Sequence, residues 1–153
     1  MSELATGRVR PIGGPEPNAT GTAELVVLQS DCASDLKLDN APDENFPAVF
    51  ATTRMIALME MASARVLKPL LQDGEMSVGV TVDIIHSVAT PIGAKVTATA
   101  NYRGRAGKLF VFDVIAQDPA GQVGRGTHKR AIISRERLVS GAAKRAGGCR
   151  AGR

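Results

Sequence analysis

The sequence predicts an α+β fold in which an antiparallel sheet wraps around one long helix. Three observations favour it: one strongly helical stretch at residues 49–71, a short apolar strand before it, and four alternating strands joined by short turns after it. One helix packed on one antiparallel sheet is a stable layered arrangement. With 153 residues, of which 44% are hydrophobic and 22% charged, the chain is long enough to bury the core of one domain.

The N-terminal part is expected to contain a loose arm and then the first strand. Residues 1–20 are rich in Gly, Pro and Asn and predict a flexible arm, so the domain should span residues 21–137. Residues 22–29 form a short apolar run between turn residues, which is typical of a strand. Residues 39–47 are acidic and turn-rich, and they indicate a loop with one large apolar side chain, Phe46.

Residues 49–71 carry the strongest helical pattern in the chain. Ala, Leu and Met favour helix, and apolar residues recur three and four positions apart. Between Arg54 and Arg65 the stretch is apolar on nearly every side, which predicts burial on every side. A monomer would leave part of this surface exposed, so we expect a homodimer or a higher even oligomer.

Four strands follow the helix. They are expected at residues 77–88, 93–102, 108–117 and 122–134. Strict alternation in the first of them places Val78, Val80, Val82, Ile84, His86 and Val88 on one face. The connectors are short and turn-like, so consecutive strands should pair as antiparallel hairpins. A sheet wrapped around a helix in this order is the hotdog fold.

The net charge of +4 comes entirely from the C-terminal segment. Residues 138–153 hold four basic residues and no acidic one, so residues 1–137 are neutral overall. A neutral body with 3% aromatic residues lacks the basic footprint and the stacking platforms of nucleic-acid-binding proteins. The segment is rich in Gly, Ala and Arg and has no apolar periodicity, so we expect a disordered basic tail.

Composition also bears on compartment and metals. No apolar run approaches the ~20 residues that a membrane helix needs, and the first residues contain no hydrophobic secretion signal. Cys32 and Cys149 are the only cysteines, they are far apart, and two histidines do not supply a typical zinc-ligand set. We therefore expect a cytoplasmic protein without a membrane partner, a nucleic-acid partner or a metal.

Glu60 is the least expected residue of the helix. Its neighbours one turn away are Ile56, Ala57, Ser63 and Ala64, so no cation pairs with it within the helix. Burial of an unpaired carboxylate is costly, so such a group is either paired across the fold or functional. Two interpretations are open at this point: a structural ion pair, and a general base or nucleophile.

His86 and Thr52 are the other candidates for chemistry. A histidine on the apolar face of a strand is either a hydrogen-bonded core residue or an acid–base group. Thr52 or Thr53 is expected to cap the helix. Thr52 and Glu60 also follow one ridge of the helix, where a hydroxyl can position a carbonyl or act as a nucleophile. We expect Thr52, Glu60 and His86 to face one cavity.

The last strand adds further candidates. Gly124, Gly126, His128 and Arg130 share one face of it. Glycine within a strand indicates close approach, either of a ligand or of the central helix. Arg130 is a candidate for contact with an anion.

Three stretches together resemble one family. They are PAVFATTRMIALMEMAS, SVGVTVDIIHSVATPIG and VGRGTHKRAII, correctly ordered and spaced within roughly residues 22–137. In these stretches the chain is similar to the fluoroacetyl-coenzyme A thioesterase-like branch of hotdog proteins. The resemblance implies hydrolysis of an acyl-coenzyme A thioester by a dimer. It implies no metal and no cofactor, because coenzyme A enters as part of the substrate.

The resemblance also implies roles for individual residues. The family's catalytic threonine, glutamate and histidine fall on Thr52, Glu60 and His86. A family glycine near the substrate carbonyl falls on Gly79, and a family arginine falls on Arg130. Reasoning from the residues alone does not single out Gly79.

One departure from the family concerns the loop before the helix. The fluoroacetyl-specific member carries two phenylalanines there as a lid over the acyl group, whereas this chain has Phe46 in the second place and Asp43 in the first. Specificity for fluoroacetate is therefore not carried over, and a short-chain acyl thioester is expected. The alternatives are a hotdog module that binds acyl-coenzyme A without turnover and a hotdog hydratase or dehydratase.

Overall fold

The computed structural model describes residues 14–39 and 45–150. It contains five strands and two α-helices. The strands are β1 (Thr20–Val26), β2 (Glu75–His86), β3 (Lys95–Ala106), β4 (Leu109–Asp118) and β5 (Gly121–Ser134). The helices are α1 (Thr52–Leu67) and α2 (Arg135–Arg150).

The five strands form one antiparallel sheet in the order β1-β3-β4-β5-β2. The helix α1 lies in the concavity of this sheet and contacts all five strands. The predicted α+β hotdog fold is confirmed. Strand β2 is at one edge of the sheet, so one side of its backbone has no strand partner among the described residues.

The core lies between α1 and the inner face of the sheet. On α1 the buried residues are Met55, Leu58, Met59, Ala62, Ser63, Val66 and Leu67. The sheet contributes large side chains such as Phe110 and Phe112, together with small ones such as Ala98 and Ala100 that let the helix approach. Burial of each large apolar side chain contributes roughly 1.5–3 kcal/mol, so the contact between α1 and the sheet stabilises the fold.

The helix α1 begins at Thr52 because Ala51 is extended, with ψ near 140°. The expectation that Thr52 or Thr53 caps the helix is wrong, since no side chain makes a cap hydrogen bond there. Asp31 fixes the start of the helix instead. Its carbonyl accepts the Ala51 N–H at 2.9 Å, and its carboxylate accepts two hydrogen bonds from Arg54. The hydroxyl of Thr52 is thereby left for another partner.

As expected for a single chain, α1 is not buried on every side. Met61 is 49% exposed and the side chain of Glu60 is 41% exposed. The sheet covers only one face of the helix, since its five strands end at β2. The apolar pattern of α1 therefore extends beyond the surface that its own chain covers.

Strand β2 contains a bulge that changes which side its residues face. Gly79 pairs with Arg130 and Thr81 pairs with Lys129, so Val80 is an extra residue without a partner on β5. Residues opposite each other in an antiparallel pair point to the same side of the sheet. Gly79 therefore faces α1 together with Val82 and His86, and the single alternating face expected from Val78 to Val88 is interrupted at the bulge.

Both ends of the chain differ from expectation. The arm was expected to be flexible through residue 20, but Gly14 is buried against Tyr102 and Phe110. Residues 1–13 lie outside the described part. The basic segment was expected to be disordered, but residues 135–150 form α2, in which Arg, Leu, Ala and Lys favour helix. Its side chains as far as residue 148 are exposed.

Candidate active site

Thr52 and His86 form one cluster, which we call the hydroxyl half-site. Thr52 is the first residue of α1 and His86 is the last residue of β2. The Oγ1 atom of Thr52 lies 2.8 Å from Nδ1 of His86. The ring of Phe50 meets the imidazole edge-on, with the centroids 6.4 Å apart. Thr52 is exposed, whereas His86 is partly buried.

The electrostatics of this half-site favour a neutral imidazole. Burial lowers the pKa of His86 below its ordinary value of 6.5, and the carbonyl of Val88 opposes this only in part. A neutral imidazole can accept the proton of the Thr52 hydroxyl at Nδ1. The Nε2 atom of His86 is buried and has no hydrogen-bond partner among the described residues. A cleft of about 250 Å³ opens beside the pair, between the loop before α1 and the end of β2.

Glu60 belongs to a second cluster, the carboxylate half-site. It contains Glu60 from α1, Ser77 and Gly79 from β2, and His128 and Arg130 from β5. The Oε1 atom of Glu60 occupies the space that a side chain at Gly79 would fill. It also lies 3.7 Å from Nη1 of Arg130. Glu60 is therefore half-exposed and has a cation partner from β5, which the helical neighbours could not reveal.

Arg130 is held from several sides. Its Nε donates to Ser77 Oγ at 3.1 Å, and its Nη2 donates to the Ser77 carbonyl at 3.0 Å. Its Nη1 donates to Nε2 of His128 at 3.1 Å. Burial lowers the pKa of Arg130 and the carboxylate of Glu60 opposes that change, but a guanidinium remains charged in proteins. The half-site thus presents a fixed positive group beside a half-exposed carboxylate.

The two half-sites do not meet within one chain. Thr52 and Glu60 are eight residues apart on α1, which corresponds to about 12 Å along the helix axis. Gly79 and His86 are seven residues apart on β2, or about 23 Å along an extended strand. The expectation that Thr52, Glu60 and His86 face one cavity is therefore not met by a single copy of the chain.

The remaining candidates have different positions. A side chain at Gly124 would collide with Met55 of α1, and one at Gly126 would collide with the backbone of Asp83, so close packing explains both glycines. Phe46 lies in the loop before α1 and is half-exposed. Asp43 lies outside the described residues.

Within residues 14–39 and 45–150 no group of three His, Cys, Asp or Glu side chains is arranged to hold a metal.

Sequence reasoning assigned no role to His128 and did not identify Ser77. His128 shares a face with Arg130 in the alternating pattern of β5, which is the only signal that pointed to it. Its Nδ1 lies 2.8 Å from the carbonyl oxygen of Thr81 across the strand pair. That contact depends on the bulge at Val80, which alternation does not reveal.

A wider depression of about 430 Å³ lies on the outer face of the sheet. Charged residues of both signs line it, including Arg103 and Asp113, which pair with each other. Of the candidates only Gly126 lines this depression, and its position is explained by close packing. The candidates with reactive side chains lie on the inner face and near the β2 edge.

Comparison with known proteins gives a consistent result. A model of the family FlK, the fluoroacetyl-CoA-specific thioesterases, matches residues 30–136. The chain is 44% identical over 117 residues to the fluoroacetyl-CoA thioesterase of Streptantibioticus cattleyicolor, which is 76% of this chain and 84% of that relative.

Solved structures agree with this match. A structure of the fluoroacetyl-CoA thioesterase FlK has a TM-score of 0.80 at 34% identity, covering 86% of this chain and 97% of the other. A variant of FlK in complex with fluoroacetate and CoA has a TM-score of 0.75 at 35% identity, covering 80% and 98%. A Thermus thermophilus member of the thioesterase superfamily shares the fold, with a TM-score of 0.80 at 22% identity over 94% and 99% of the two chains.

Proposed function

Because the chain belongs to the fluoroacetyl-CoA-specific thioesterase family, we propose that it hydrolyses the thioester bond of a short-chain acyl-CoA. Water adds across the C–S bond, and the products are the free acid and the thiol of CoA. The observation that carries the proposal is the 2.8 Å contact between the hydroxyl of the exposed Thr52 and the partly buried His86 imidazole. A hydroxyl whose proton can pass to a neighbouring base is suited to acyl chemistry.

In this proposal Thr52 and His86 act at the thioester carbonyl. The Thr52 oxygen attacks the carbonyl carbon as Nδ1 of His86 accepts its proton, and the C–S bond breaks to leave the acyl group as an ester on Thr52. Water activated by Glu60 then cleaves this ester, which releases the free acid and restores the Thr52 hydroxyl. Burial keeps the imidazole neutral at physiological pH, since it lowers the pKa of His86. His86 is therefore in the form that accepts a proton, and the imidazolium formed can return that proton to the leaving thiolate.

Glu60 supplies the carboxylate that activates water. It is half-exposed, so water can reach it, and Arg130 lies 3.7 Å away without a hydrogen bond that would occupy Oε1. Gly79 has no side chain, which leaves room for Oε1 of Glu60 to lie against β2. Arg130 and the backbone around Gly79 are the substrate-binding elements of this half-site.

The complete site is proposed to form in a homodimer, or a higher even oligomer, through the β2 edges. Two antiparallel edge strands run in opposite directions, so the Gly79 end of one lies beside the His86 end of the other. The hydroxyl half-site of one copy then meets the carboxylate half-site of its partner. The 12 Å separation along α1, about two helical turns, supports this arrangement.

Surface features of the chain support pairing at this edge. Among the described residues strand β2 is at the edge of the sheet, and an exposed edge is a ready template for another strand. Val80, Val82 and Ile85 of β2 are 52%, 43% and 56% exposed. Met61 of α1 is exposed as well. Burial of these apolar groups would stabilise a dimer.

The substrate is proposed to be a short acyl-CoA without strong preference for fluoroacetyl-CoA. Phe46 is the one aromatic side chain at the place of the lid, while Asp43 is charged. The protein is proposed to work without metal or bound cofactor. The free Cys32 thiol fits the reducing cytoplasm, which is also the proposed compartment. No helix in the described ranges is long and apolar enough to span a bilayer.

The test is thiol release from a panel of saturated, fluorinated and 2,3-unsaturated short-chain acyl-CoA esters. We expect hydrolysis of acetyl-CoA and fluoroacetyl-CoA at rates within about a hundredfold of each other, because one weak apolar contact discriminates by only ~1–3 kcal/mol. Binding of the esters without thiol release would show a binding module. Addition of water across the 2,3-double bond with CoA still attached would show a hydratase.

A further inference from the structure

His128 lies at the centre of the carboxylate half-site and has no assigned role. It is 1% exposed, between α1 and the β2–β5 pair. Both ring nitrogens are engaged: Nδ1 with the Thr81 carbonyl at 2.8 Å and Nε2 with Nη1 of Arg130 at 3.1 Å. Its Nε2 also lies 4.0 Å from Oε1 of Glu60. The imidazole therefore contacts the groups that surround the carboxylate.

The partners determine the protonation state of His128. A carbonyl only accepts, so Nδ1 carries the hydrogen, and a guanidinium only donates, so Nε2 is the acceptor. His128 is thus neutral with its proton on Nδ1. Burial, the largest effect, lowers its pKa, and the positive charge of Arg130 lowers it further, while the Thr81 carbonyl and Glu60 act in the opposite direction.

The charged groups that face His128 are few. Glu60 faces it from α1 and Arg130 lies beside it on β5, while β2 contributes the Thr81 backbone. On β4 the residue opposite is Phe112, which has no charge. Nε2 of His128 and Oε1 of Glu60 therefore lie near the same Nη1 group of Arg130.

We propose that His128 is a positioning residue: its neutral Nε2 takes the hydrogen bond of Arg130 Nη1 and so keeps the guanidinium from closing onto Glu60. At 3.7 Å the guanidinium attracts the carboxylate without a hydrogen bond to it. Oε1 then keeps its lone pairs for a water molecule. The proposal rests on the proposed function of Glu60 as the base. It explains why a buried hydrogen-bond acceptor, Nε2 of His128, lies beside Arg130.

The test compares two substitutions. In His128→Gln the carboxamide offers one N–H for Thr81 and one oxygen for Arg130, as the imidazole does. His128→Leu removes both hydrogen bonds, and Nη1 of Arg130 is then expected to donate to the carboxylate of Glu60. We expect kcat of the Leu variant to fall by at least about tenfold, less than the 10²–10⁴ of a general base itself. We expect the KM of the Leu variant to stay within about threefold of the parent value. The kcat of the Gln variant should also stay within about threefold of the parent value.

A second readout does not depend on activity. Nitrogen NMR should show the Nδ1–H tautomer of His128, together with separate, slowly exchanging Nη signals of Arg130. The Leu substitution should shift the Arg130 signals and the Gln substitution should preserve them. Thr90→Val, which removes another buried hydrogen bond, that to Asp118, is the control and should leave the Arg130 signals and kcat unchanged.

The outcomes separate the two proposals. If His128→Leu leaves the Arg130 signals unchanged, or if Gln fails to restore kcat in a folded protein, the positioning role of His128 is wrong. If the Arg130 signals respond as expected but the parent protein releases no thiol from any acyl-CoA, the positioning holds and the proposed function is wrong.

Discussion

At the scale of the residue, the environment of Glu60 decides what a substitution there does. Its carboxylate is half-exposed and pairs at 3.7 Å with the buried Arg130. An ion pair of this length and exposure contributes little to the free energy of unfolding. The charge of Glu60 is therefore expected to matter for turnover far more than for folding.

Glu60→Gln tests this expectation. The amide keeps size and shape and removes the charge, so we expect kcat to fall by ~10² or more, the scale of a lost general base. The melting temperature should change by no more than about 2–4 °C, because a pair of this kind contributes at most ~1 kcal/mol. Glu24→Gln, which removes an exposed ion pair with Lys95, is the matched control and should alter neither. Near-parental turnover of Glu60→Gln would remove Glu60 from the mechanism.

The two histidines predict how stability depends on pH. Burial lowers the pKa of both His86 and His128 in the folded state below 6.5. As the pH falls below about 6.5, the unfolded chain takes up protons that the folded chain does not, so the free energy of unfolding decreases. Above that pH both states are neutral and the contribution is fully present.

We therefore expect the melting temperature to fall between pH 7.5 and 5.5, in a range about the ordinary histidine pKa of 6.5. His128→Gln has no group that titrates at this position, so its melting temperature should fall less over the same range. Thermal denaturation at several pH values measures both. Equal slopes for the parent and the Gln variant would contradict the burial of a neutral His128.

At the scale of the element, α2 provides a test of which parts of the chain carry the fold. The helix follows β5 directly, and the N–H of Arg135 donates to the Gly74 carbonyl at 2.9 Å. Beyond that anchor its described side chains are exposed. Removal of residues 139–153 should shift the melting temperature by less than about 2 °C and leave turnover unchanged. A larger drop would show that α2 packs on a surface in the assembled protein.

The elements themselves could be predicted from the sequence because their signals are local. Residues 49–71 contain α1, and the four alternating runs overlap β2 to β5 with ends shifted by up to four residues, since periodicity and turn residues lie next to one another in the chain. The position of Glu60 near Arg130 could not be predicted in this way, because it depends on the register between α1 and β5. The basic segment was expected to be disordered because that expectation rested on its composition. The helix propensity of its Arg, Leu, Ala and Lys residues indicates the helix that the structure shows.

The carboxylate half-site shows the same limit in more detail. Alternation places Gly79 on the wrong side of β2, since one extra residue at Val80 reverses the pattern. Gly79 was named only because a family resemblance pointed to it. The hydrogen bond between His128 and Thr81 depends on the same bulge.

At the scale of the whole molecule, the separation of the half-sites predicts complementation between two inactive chains. When Thr52→Ala and Glu60→Gln chains are mixed, denatured and refolded together, half of the dimers contain one chain of each kind. One of the two sites in such a dimer is intact, so the mixture should recover about a quarter of the parental rate. Thiol release before and after mixing measures it.

The control for this experiment mixes Thr52→Ala with His86→Asn. Both substitutions lie in the hydroxyl half-site, so no mixed dimer has an intact site and no activity should return. A site formed within a single chain predicts no recovery in either mixture. Light scattering should accompany the assay, and a stable folded monomer at micromolar concentration would contradict the dimer.

The bulge of β2 adds one residue between Gly79 and His86 and so changes which side of the sheet each of them faces. In an uninterrupted strand, positions seven apart have opposite parity and face opposite sides, yet Gly79 and His86 both face α1 because Val80 adds one step. Deletion of Val80 alone would leave six steps between Gly79 and His86 in a regular strand, so both would still face α1. Deletion of Val80 and one further residue would leave five steps, and one of the two would then face outward. The number of residues between Gly79 and His86 therefore determines the two half-sites as much as the identity of the residues that form them.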